Sequence, residues 1–205
     1  MTPRYPTRRH TLLAAAGLSP LIAQLANATE PMPPTNRLVL SAITPDGETL
    51  AAGTRWSGFT DRVMGGVSDG EFRRDVVDGR ACLRMTGRVT RESNGGFIQM
   101  ALDVGGRGRP FDASAYAGVE FLVHGNDEDY NVHVRTGDCS WYDESYRATF
   151  RATRGWQRLT LAWKDFTPNG LSVPLDPAKI ERIAVLGWMR EFAADLAVAE
   201  VVLVG

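Results

Sequence analysis

Short runs of alternating apolar and polar residues follow one another along most of the chain beyond residue 36. Many carry β-branched or aromatic residues at every second position, which is typical of strands with one buried face. Glycine, asparagine and aspartate separate the runs and favour turns. Asp176–Arg182 and Glu191–Asp195 are each predicted to form a helical turn. The predicted strands are Trp56–Thr60, Gly70–Val76, Ala81–Gly87, Gly96–Val104, Ala117–His124, Tyr130–Arg135, Tyr146–Ala152, Trp156–Trp163, Ile180–Trp188 and Leu196–Val204.

About ten strands without a long helix predict an all-β fold, a closed sandwich of two sheets. The alternation also predicts which side chains face the core. Val119, Phe121 and Val123 share one side of their strand, and Glu120 and His124 share the other. The three apolar residues are therefore expected to point inward.

The N-terminal segment has the composition of an export signal. Arg8 and Arg9 precede an uncharged run, residues 12–28, that ends in Ala-Asn-Ala. The paired arginines are similar to the twin-arginine motif, and cleavage is predicted after Ala28. A membrane anchor would be interrupted at Pro20, and a mitochondrial transit peptide would spread its arginines along an amphipathic helix. A periplasmic or otherwise exported location is expected, with a mitochondrial location as the alternative.

The remaining chain fits one domain. Prolines in residues 29–36 suit a tether, and the folded part is predicted to span residues 37–205. A hydrophobic content of 43% is enough for a core in a chain of 205 residues. No integral membrane segment is expected in the mature protein.

The charge balance argues against two classes of partner. The chain has 23 basic and 24 acidic residues, so neither nucleic acid nor an anionic membrane finds electrostatic support. Any partner must be recognised by shape or local chemistry. Cys82 and Cys139 leave two alternatives in an oxidising compartment, one disulfide or two free thiols.

Motifs that suggest catalysis lack their required context. Gly66–Gly70 matches the Gly-x-Ser-x-Gly pattern, but a strand and a hairpin follow it in place of a helix. His124 and His133 lie in predicted strands without metal-ligand spacing. Asp127–Asn131 has the spacing of the first calcium ligands of an EF-hand, but it runs into a strand. No metal, cofactor or catalytic residue is therefore predicted.

The carboxylate and aromatic side chains suggest two further functions. Glu92, Asp143 and Glu144 are nominal glycosidase acids, although their spacing singles out no pair, so a glycoside hydrolase is a distant alternative. Trp141 and Tyr142 adjoin acidic residues and suit binding, because rings supply apolar faces and polar neighbours set orientation. At most one of these two rings should be buried, since neighbours on a strand point to opposite faces.

Five motifs carry a family resemblance: Asp61–Ser68, Glu92–Phe97, Tyr146–Phe150, Gly155–Gln157 and Lys164–Pro168. Their order and spacing resemble the complex I intermediate-associated protein family from residue 56 to the end. The resemblance implies a galactose-binding-like, jelly-roll sandwich. It also implies a part in assembling respiratory complex I, although an exported protein would meet only the exported faces of that complex.

Within this resemblance, four glycines are expected at turns: Gly65, Gly66, Gly95 and Gly96. Six residues are candidates for contacting a ligand or partner: Asp61, Ser68, Asn94, Arg135, Trp141 and Tyr142. The side chains of Asp61 and Asn94 have a structural alternative, in which they hold their own turns. The expected function is non-catalytic binding of a protein during assembly or maturation, with recognition of a glycan as the alternative.

Overall fold

The computed structural model describes residues 36–106 and 109–205, all of which belong to one compact unit. The predicted export signal and residues 29–35 of the predicted tether lie outside these ranges. No helix within the described ranges is long and apolar enough to cross a membrane.

Strands make up most of the described chain. They are β1 Arg37–Thr44, β2 Gly47–Leu50, β3 Arg55–Thr60, β4 Asp69–Val77, β5 Arg80–Val89, β6 Phe97–Asp103, β7 Gly118–His124, β8 Glu128–Thr136, β9 Ser145–Ala152, β10 Gln157–Ala162, β11 Thr167–Asn169, β12 Ile180–Trp188 and β13 Phe192–Val204. Four short 3-10 helices connect some of them, at Asp61–Met64, Glu92–Asn94, Trp163–Asp165 and Pro177–Lys179.

The strands form two antiparallel sheets. In the seven-stranded sheet, the long strand β13 pairs with β7 along one edge and with β5 and then β1 along the other. Strands β10, β2 and β4 complete it. The six-stranded sheet has the order β11-β9-β8-β12-β6-β3. The core lies between the two sheets, so each sheet also has an outer face.

The predicted inward face of β7 is confirmed. Val119, Phe121 and Val123 are buried in the core, at 0%, 1% and 0% relative exposure. Alternation places their neighbours on the outer face of the seven-stranded sheet, where Glu120 pairs with Arg37 and Arg158. Periodicity therefore fixes side-chain direction here, because a strand with one buried face has no other way to bury its apolar residues.

All ten predicted strands are present, and most bounds agree within two residues. The helical turn predicted at Glu191–Asp195 is wrong, because β13 begins at Phe192 and pairs with Val89 of β5. Within Asp176–Arg182, only Pro177–Lys179 is helical, and β12 begins directly after it. Three strands were not predicted, namely β1 and the short strands β2 and β11.

The two cysteines are free thiols. Cys82 is fully buried on the outer face of the seven-stranded sheet, in a small apolar cluster with Leu122, Ala197 and Ala199. Cys139 packs instead against the main core. The disulfide alternative is therefore wrong, since the thiols belong to separate clusters.

Candidate functional site

A groove of about 750 Å³ lies on the outer face of the six-stranded sheet. Its floor comes from the strands: Phe59, Phe97, Gln99, His133, Arg135, Ser145, Arg147, Asn169, Arg182, Ala184 and Trp188. Its rim comes from the connecting loops: Val63, Met64, Asn94, Gly95, Tyr142, Asp143, Glu144 and Met189. The volume is in the range of small-ligand sites in proteins.

Strand alternation builds the floor. On β6, Ile98 and Met100 enter the core, so Phe97 and Gln99 point out of the sheet. Strands β8, β9 and β12 behave in the same way. His133 of β8 stands directly opposite Arg147 of β9 and Ala184 of β12. The groove is thus a direct product of the sheet register.

Trp188 is the centre of the aromatic part of the floor. Its ring lies 6.0 Å from the Phe97 ring and 4.9 Å from the His133 ring, and Phe59 extends the group from Phe97. The guanidinium carbon of Arg147 lies 4.6 Å from the Trp188 ring centroid. This contact is a cation–π arrangement, in which the positive group lies over the ring face.

His133 is a buried polar group on this floor. It is 7% exposed, and its Nε2 has no hydrogen-bond partner among the described residues. Burial, with a contribution from nearby Arg147, lowers the His133 pKa to about 3. The imidazole is therefore neutral at physiological pH and has unused hydrogen-bonding capacity.

Arg135 organises the loop that forms one side of the groove. Its Nη1 donates to the carbonyl oxygens of Trp141, Tyr142 and Glu144 at 2.8, 3.2 and 2.6 Å. The Glu144 carboxylate accepts hydrogen bonds from two backbone N–H groups in the same loop. These contacts hold the Tyr142 ring, which is 75% exposed, at the rim.

A buried carboxylate joins two loops beside the rim. Asp61 is 0% exposed and accepts hydrogen bonds from the backbone N–H groups of Ser68, Gly96 and Phe97 at 2.9, 2.6 and 3.2 Å. The Ser68 hydroxyl donates to the same carboxylate at 2.5 Å. Met64 and Asn94, which lie in these two loops, line the groove. Asp61 therefore positions part of the rim without being part of the groove.

The surroundings of Asp61 explain two of the predicted glycines. Burial raises the Asp61 pKa, but the hydrogen bonds from Ser68, Gly96 and Phe97 outweigh it, and the pKa is lowered overall. A Cβ at Gly66 or Gly95 would lie 2.4 Å from carboxyl atoms of Asp61. Close approach to the carboxylate therefore requires glycine at both positions.

The other two predicted glycines have positive φ angles. Gly65 ends the 3-10 helix Asp61–Met64 with a φ of 91°, and Gly96 has a φ of 143°. Such angles favour glycine.

The structure separates the six candidate binding residues. Asn94, Arg135 and Tyr142 line the groove, whereas Trp141 is 67% exposed just outside its lining. Asp61 and Ser68 are both fully buried and bonded to each other, so the expectation that they contact a ligand is wrong. The structural alternative given for Asp61 is the one observed.

Asn94 both lines the groove and shapes its own turn. Its φ is 59°, a left-handed conformation that asparagine tolerates better than most residues. Trp141 and Tyr142 are both exposed because they lie in a loop, not on a strand.

The nominal acid groups and metal ligands also have definite places. Asp143 and Glu144 line the groove, whereas Glu92 is exposed in the 3-10 helix Glu92–Asn94. Within residues 36–106 and 109–205, no cluster of His, Cys, Asp and Glu side chains is arranged to hold a metal ion.

Several groove residues were not predicted as binding residues, among them Gln99, His133, Arg147 and Trp188. A signal for them exists in the alternation, because polar or aromatic residues interleave with core residues on β6, β8, β9 and β12. The signal does not say which strands share a sheet. Without that order, outward-facing residues on separate strands cannot be assembled into one site.

Fold and groove together define a class: a galactose-binding-like, jelly-roll β-sandwich with a ligand-sized groove on one outer face. The family model described as complex I intermediate-associated protein 30 matches residues 47–192. The chain belongs to this family. The resemblance found in the sequence motifs is thereby confirmed.

Several solved structures that are similar to this chain are carbohydrate-binding modules. The family 11 module of a cellulosomal cellulase of Clostridium thermocellum is 12% identical over 82% of this chain and 96% of the module, with a TM-score of 0.62. The family 11 module from that organism in complex with a β-1,3-1,4-mixed-linked tetrasaccharide is 11% identical, covering 80% and 95%, with a TM-score of 0.59. A family 30 module of another C. thermocellum cellulosomal cellulase is 16% identical, covering 80% and 96%, with a TM-score of 0.53.

These structures bear out the predicted fold class. A comparison with curated protein sequences gave no significant match.

Proposed function

We propose that the protein is a non-catalytic binding protein that holds a glycan chain in the groove of the six-stranded sheet. The observation that carries the proposal is the Trp188 ring on the groove floor, surrounded by hydrogen-bonding side chains. Sugar rings present apolar C–H faces and a girdle of hydroxyl groups. A site with an aromatic surface and several polar groups matches both features.

The polar groups are suited to hydroxyl recognition. Asn94, Gln99 and Asn169 bring amide groups to the groove, and an amide can both donate to and accept from a sugar hydroxyl. Asn169 is held in place through its Nδ2, which donates to the Asp143 carbonyl. A related use of the fold supports the proposal, since a family 11 module was solved with a bound tetrasaccharide.

Binding to a panel of soluble oligosaccharides and polysaccharides, measured by titration calorimetry and affinity electrophoresis, tests this function. Trp188→Ala is expected to weaken binding about tenfold or more, because a buried aromatic contact commonly dominates a binding site. Trp156→Ala is the matched control, since Trp156 contacts Arg80 in a similar way on the other sheet. Absence of binding to every glycan, or equal losses in both variants, would overturn the proposal.

Assembly of a protein complex is the second candidate, favoured by family membership and by an apolar rim. Val63, Met64 and Met189 are 67%, 51% and 45% exposed beside the groove. Exposed methionine and aromatic side chains are typical of protein interfaces. The sequence alone favours this candidate, but the size of the groove and its amide groups favour a glycan.

One double variant separates the two candidates. Val63→Ser with Met64→Ser removes apolar rim surface and leaves the floor intact. If the partner is a protein, the double variant no longer cross-links to it, and neither the variant nor the unchanged protein binds a glycan. If the ligand is a glycan, the variant keeps binding within about threefold, because the floor carries the contacts.

We also propose that the protein is exported through its twin-arginine segment. The support is Arg8-Arg9 before an uncharged run that ends at Ala28. Replacing both arginines by lysine is expected to block processing, as followed by the mass of the accumulated chain. Normal processing of the double-lysine variant would contradict twin-arginine export.

A further inference from the structure

The arginines of the groove floor differ from most sheet arginines in their pairing. Elsewhere, most strand arginines contact carboxylates within 4 Å, as shown by Arg37–Glu120, Arg84–Asp195, Arg151–Asp129 and Arg158–Glu200, although Arg80 and Arg88 of β5 have no such partner among the described residues. On the floor, Arg182 follows this rule with Asp103 at 2.7 Å. Among the described residues, neither Arg135 nor Arg147 has a carboxylate within that distance.

The register shows which side chains lie next to these arginines. Arg135 of β8 lies directly opposite Arg182 of β12, and Arg147 of β9 lies directly opposite His133 of β8. Asp103 offsets the Arg182 charge, and the His133 imidazole is neutral. Arg135 and Arg147 are therefore the two floor arginines without a carboxylate in contact.

Arg147 is the best placed of these groups to meet a ligand. Its Nε donates to the Ser145 hydroxyl at 3.0 Å, and its Nη2 donates to the Asp143 carbonyl at 3.1 Å. No described residue accepts from Nη1. Burial lowers the Arg147 pKa, and the Asp143 charge opposes that effect only in part. The guanidinium is thus partly desolvated without a contact ion partner, and its carbon lies 4.6 Å from the Trp188 ring centroid.

The acidic groups of the groove belong to its rim. Glu144 is occupied by the backbone N–H groups of Ser140 and Trp141 at 2.6 and 2.9 Å. Asp143 is exposed, and its carboxylate makes no ion pair with another described residue. A ligand anion would therefore reach the positive floor between the aromatic ring and the loop that carries these two residues.

We propose that the glycan is an acidic one, and that its carboxylate pairs with Arg147 on the groove floor. The inference rests on the proposed function, because it names the class of glycan held there. A planar carboxylate fits the fork of a guanidinium, and the Nε and Nη2 atoms of Arg147 are already held by Ser145 and Asp143. Arg135 lies on the adjacent strand, two residues beyond the position opposite Arg147, and adds a second positive charge for the same chain.

The test compares ligands that differ only in charge. Oligogalacturonate and alginate oligosaccharides are titrated into the protein by calorimetry, each beside its methyl ester, in which the carboxylate is neutral. The acidic form of at least one pair is expected to bind about tenfold or more tightly than its ester, since a charge-assisted hydrogen bond exceeds a neutral one. Raising the salt concentration should reduce this preference.

Variants assign the preference to Arg147. Arg147→Gln should remove the preference, so that the acidic form and its ester bind with similar affinity. Arg147→Lys should retain part of it, because the charge remains but the fork is lost. Arg151→Gln is the matched control on the same strand, where Arg151 already pairs with Asp129. Thermal melts of all variants establish that they are folded.

The outcomes separate this inference from the proposed function. Binding of neutral mixed-linked glucan or of the esters, without a preference for the acid, would overturn the acidic class and leave glycan binding standing. A preference that survives Arg147→Gln would overturn the assignment to this residue. Tight binding of sulfated but not carboxylated oligosaccharides would overturn the carboxylate. Absence of binding to every glycan would overturn both proposals.

Discussion

The carboxylate of Asp61 accepts a hydrogen bond from the backbone N–H of Gly96 at 2.6 Å, across 35 residues of sequence. Charge-assisted hydrogen bonds of this kind are about twice as strong as neutral ones. One buried side chain therefore holds the loops that carry Met64 and Asn94 to the groove.

Replacing Asp61 by asparagine should destabilise the fold. In the asparagine variant, the side-chain NH₂ group would face backbone N–H donors that now bond to the carboxylate, so donor would meet donor. We therefore expect a loss of about 3 kcal/mol in the free energy of unfolding. Urea unfolding measures it. Asp69→Asn is the control, because the Asp69 side chain is 84% exposed, and it should change the free energy by less than about 0.5 kcal/mol. Equal effects of the two variants would contradict the role given to Asp61.

Gly95 tests the same junction through sterics alone. Its φ of −78° is open to any residue, but an added Cβ would lie 2.4 Å from Asp61 Oδ2. Gly95→Ala should therefore cost about 2 kcal/mol, as for other overpacked sites. Gly47→Ala meets nothing within 4 Å and should be close to neutral. If alanine is tolerated equally at both positions in urea unfolding, the close packing against Asp61 is refuted.

His133 predicts a pH dependence of stability. Its pKa falls from 6.5 to about 3 on folding, so below pH 6.5 the unfolded chain binds a proton that the folded protein does not. The contribution of His133 to the free energy of unfolding is fully present above that pH. It declines as the pH falls through this window, by about 2 kcal/mol between pH 6.5 and 4.5. Asp61 does not interfere, because its lowered pKa affects stability only below about pH 3.8.

The measurement compares the unfolding free energy of the protein with that of His133→Phe at several pH values. The phenylalanine variant fills the same space without titrating, so it should lack the part of the slope due to His133. Parallel profiles for the two proteins would show that the imidazole is not held neutral by burial.

The cysteines should differ in reactivity. Burial raises the Cys82 thiol pKa to about 11, and the nucleophile is the thiolate, so Cys82 should resist alkylation at pH 8 in the folded protein. Cys139 is only partly buried and should react first. Mass spectrometry before and after unfolding in urea measures both sites. Rapid labelling of Cys82 would contradict its burial. A mass lower by two hydrogens, as one disulfide would give, would contradict two separate thiols.

Sequence periodicity predicts much of this fold because burial acts locally along a strand. The span Ile180–Trp188 agrees with β12 at both ends, since it contains the apolar run Ile183–Leu186 and Pro177 precedes it. β11, at Thr167–Asn169, is too short to carry a period. The start of β13 was misassigned because pairing with β5 overrides the local preference of residues 191–195.

The site was less predictable than the fold. Asn94 and Tyr142 were found because turn and aromatic residues are visible in sequence, and Arg135 because its guanidinium can contact an anionic group. His133 and Arg147 were missed as binding residues because their adjacency depends on the pairing of β8 with β9, which alternation does not specify. Asp61 was ambiguous for a related reason, since a polar residue before glycines serves either a ligand or the loop.

Glycan binding in the groove is tested most directly by following the tryptophan indole N–H signals by NMR during titration with a glycan that binds. The chain has five tryptophans, of which Trp188 lies on the groove floor, Trp156 on the other sheet and Trp163 in the core. We predict that the Trp188 signal shifts in a saturable manner while those of Trp156 and Trp163 stay in place. An unchanged Trp188 signal at saturation, with a shift at Trp156, would place the ligand elsewhere and contradict glycan binding in the groove.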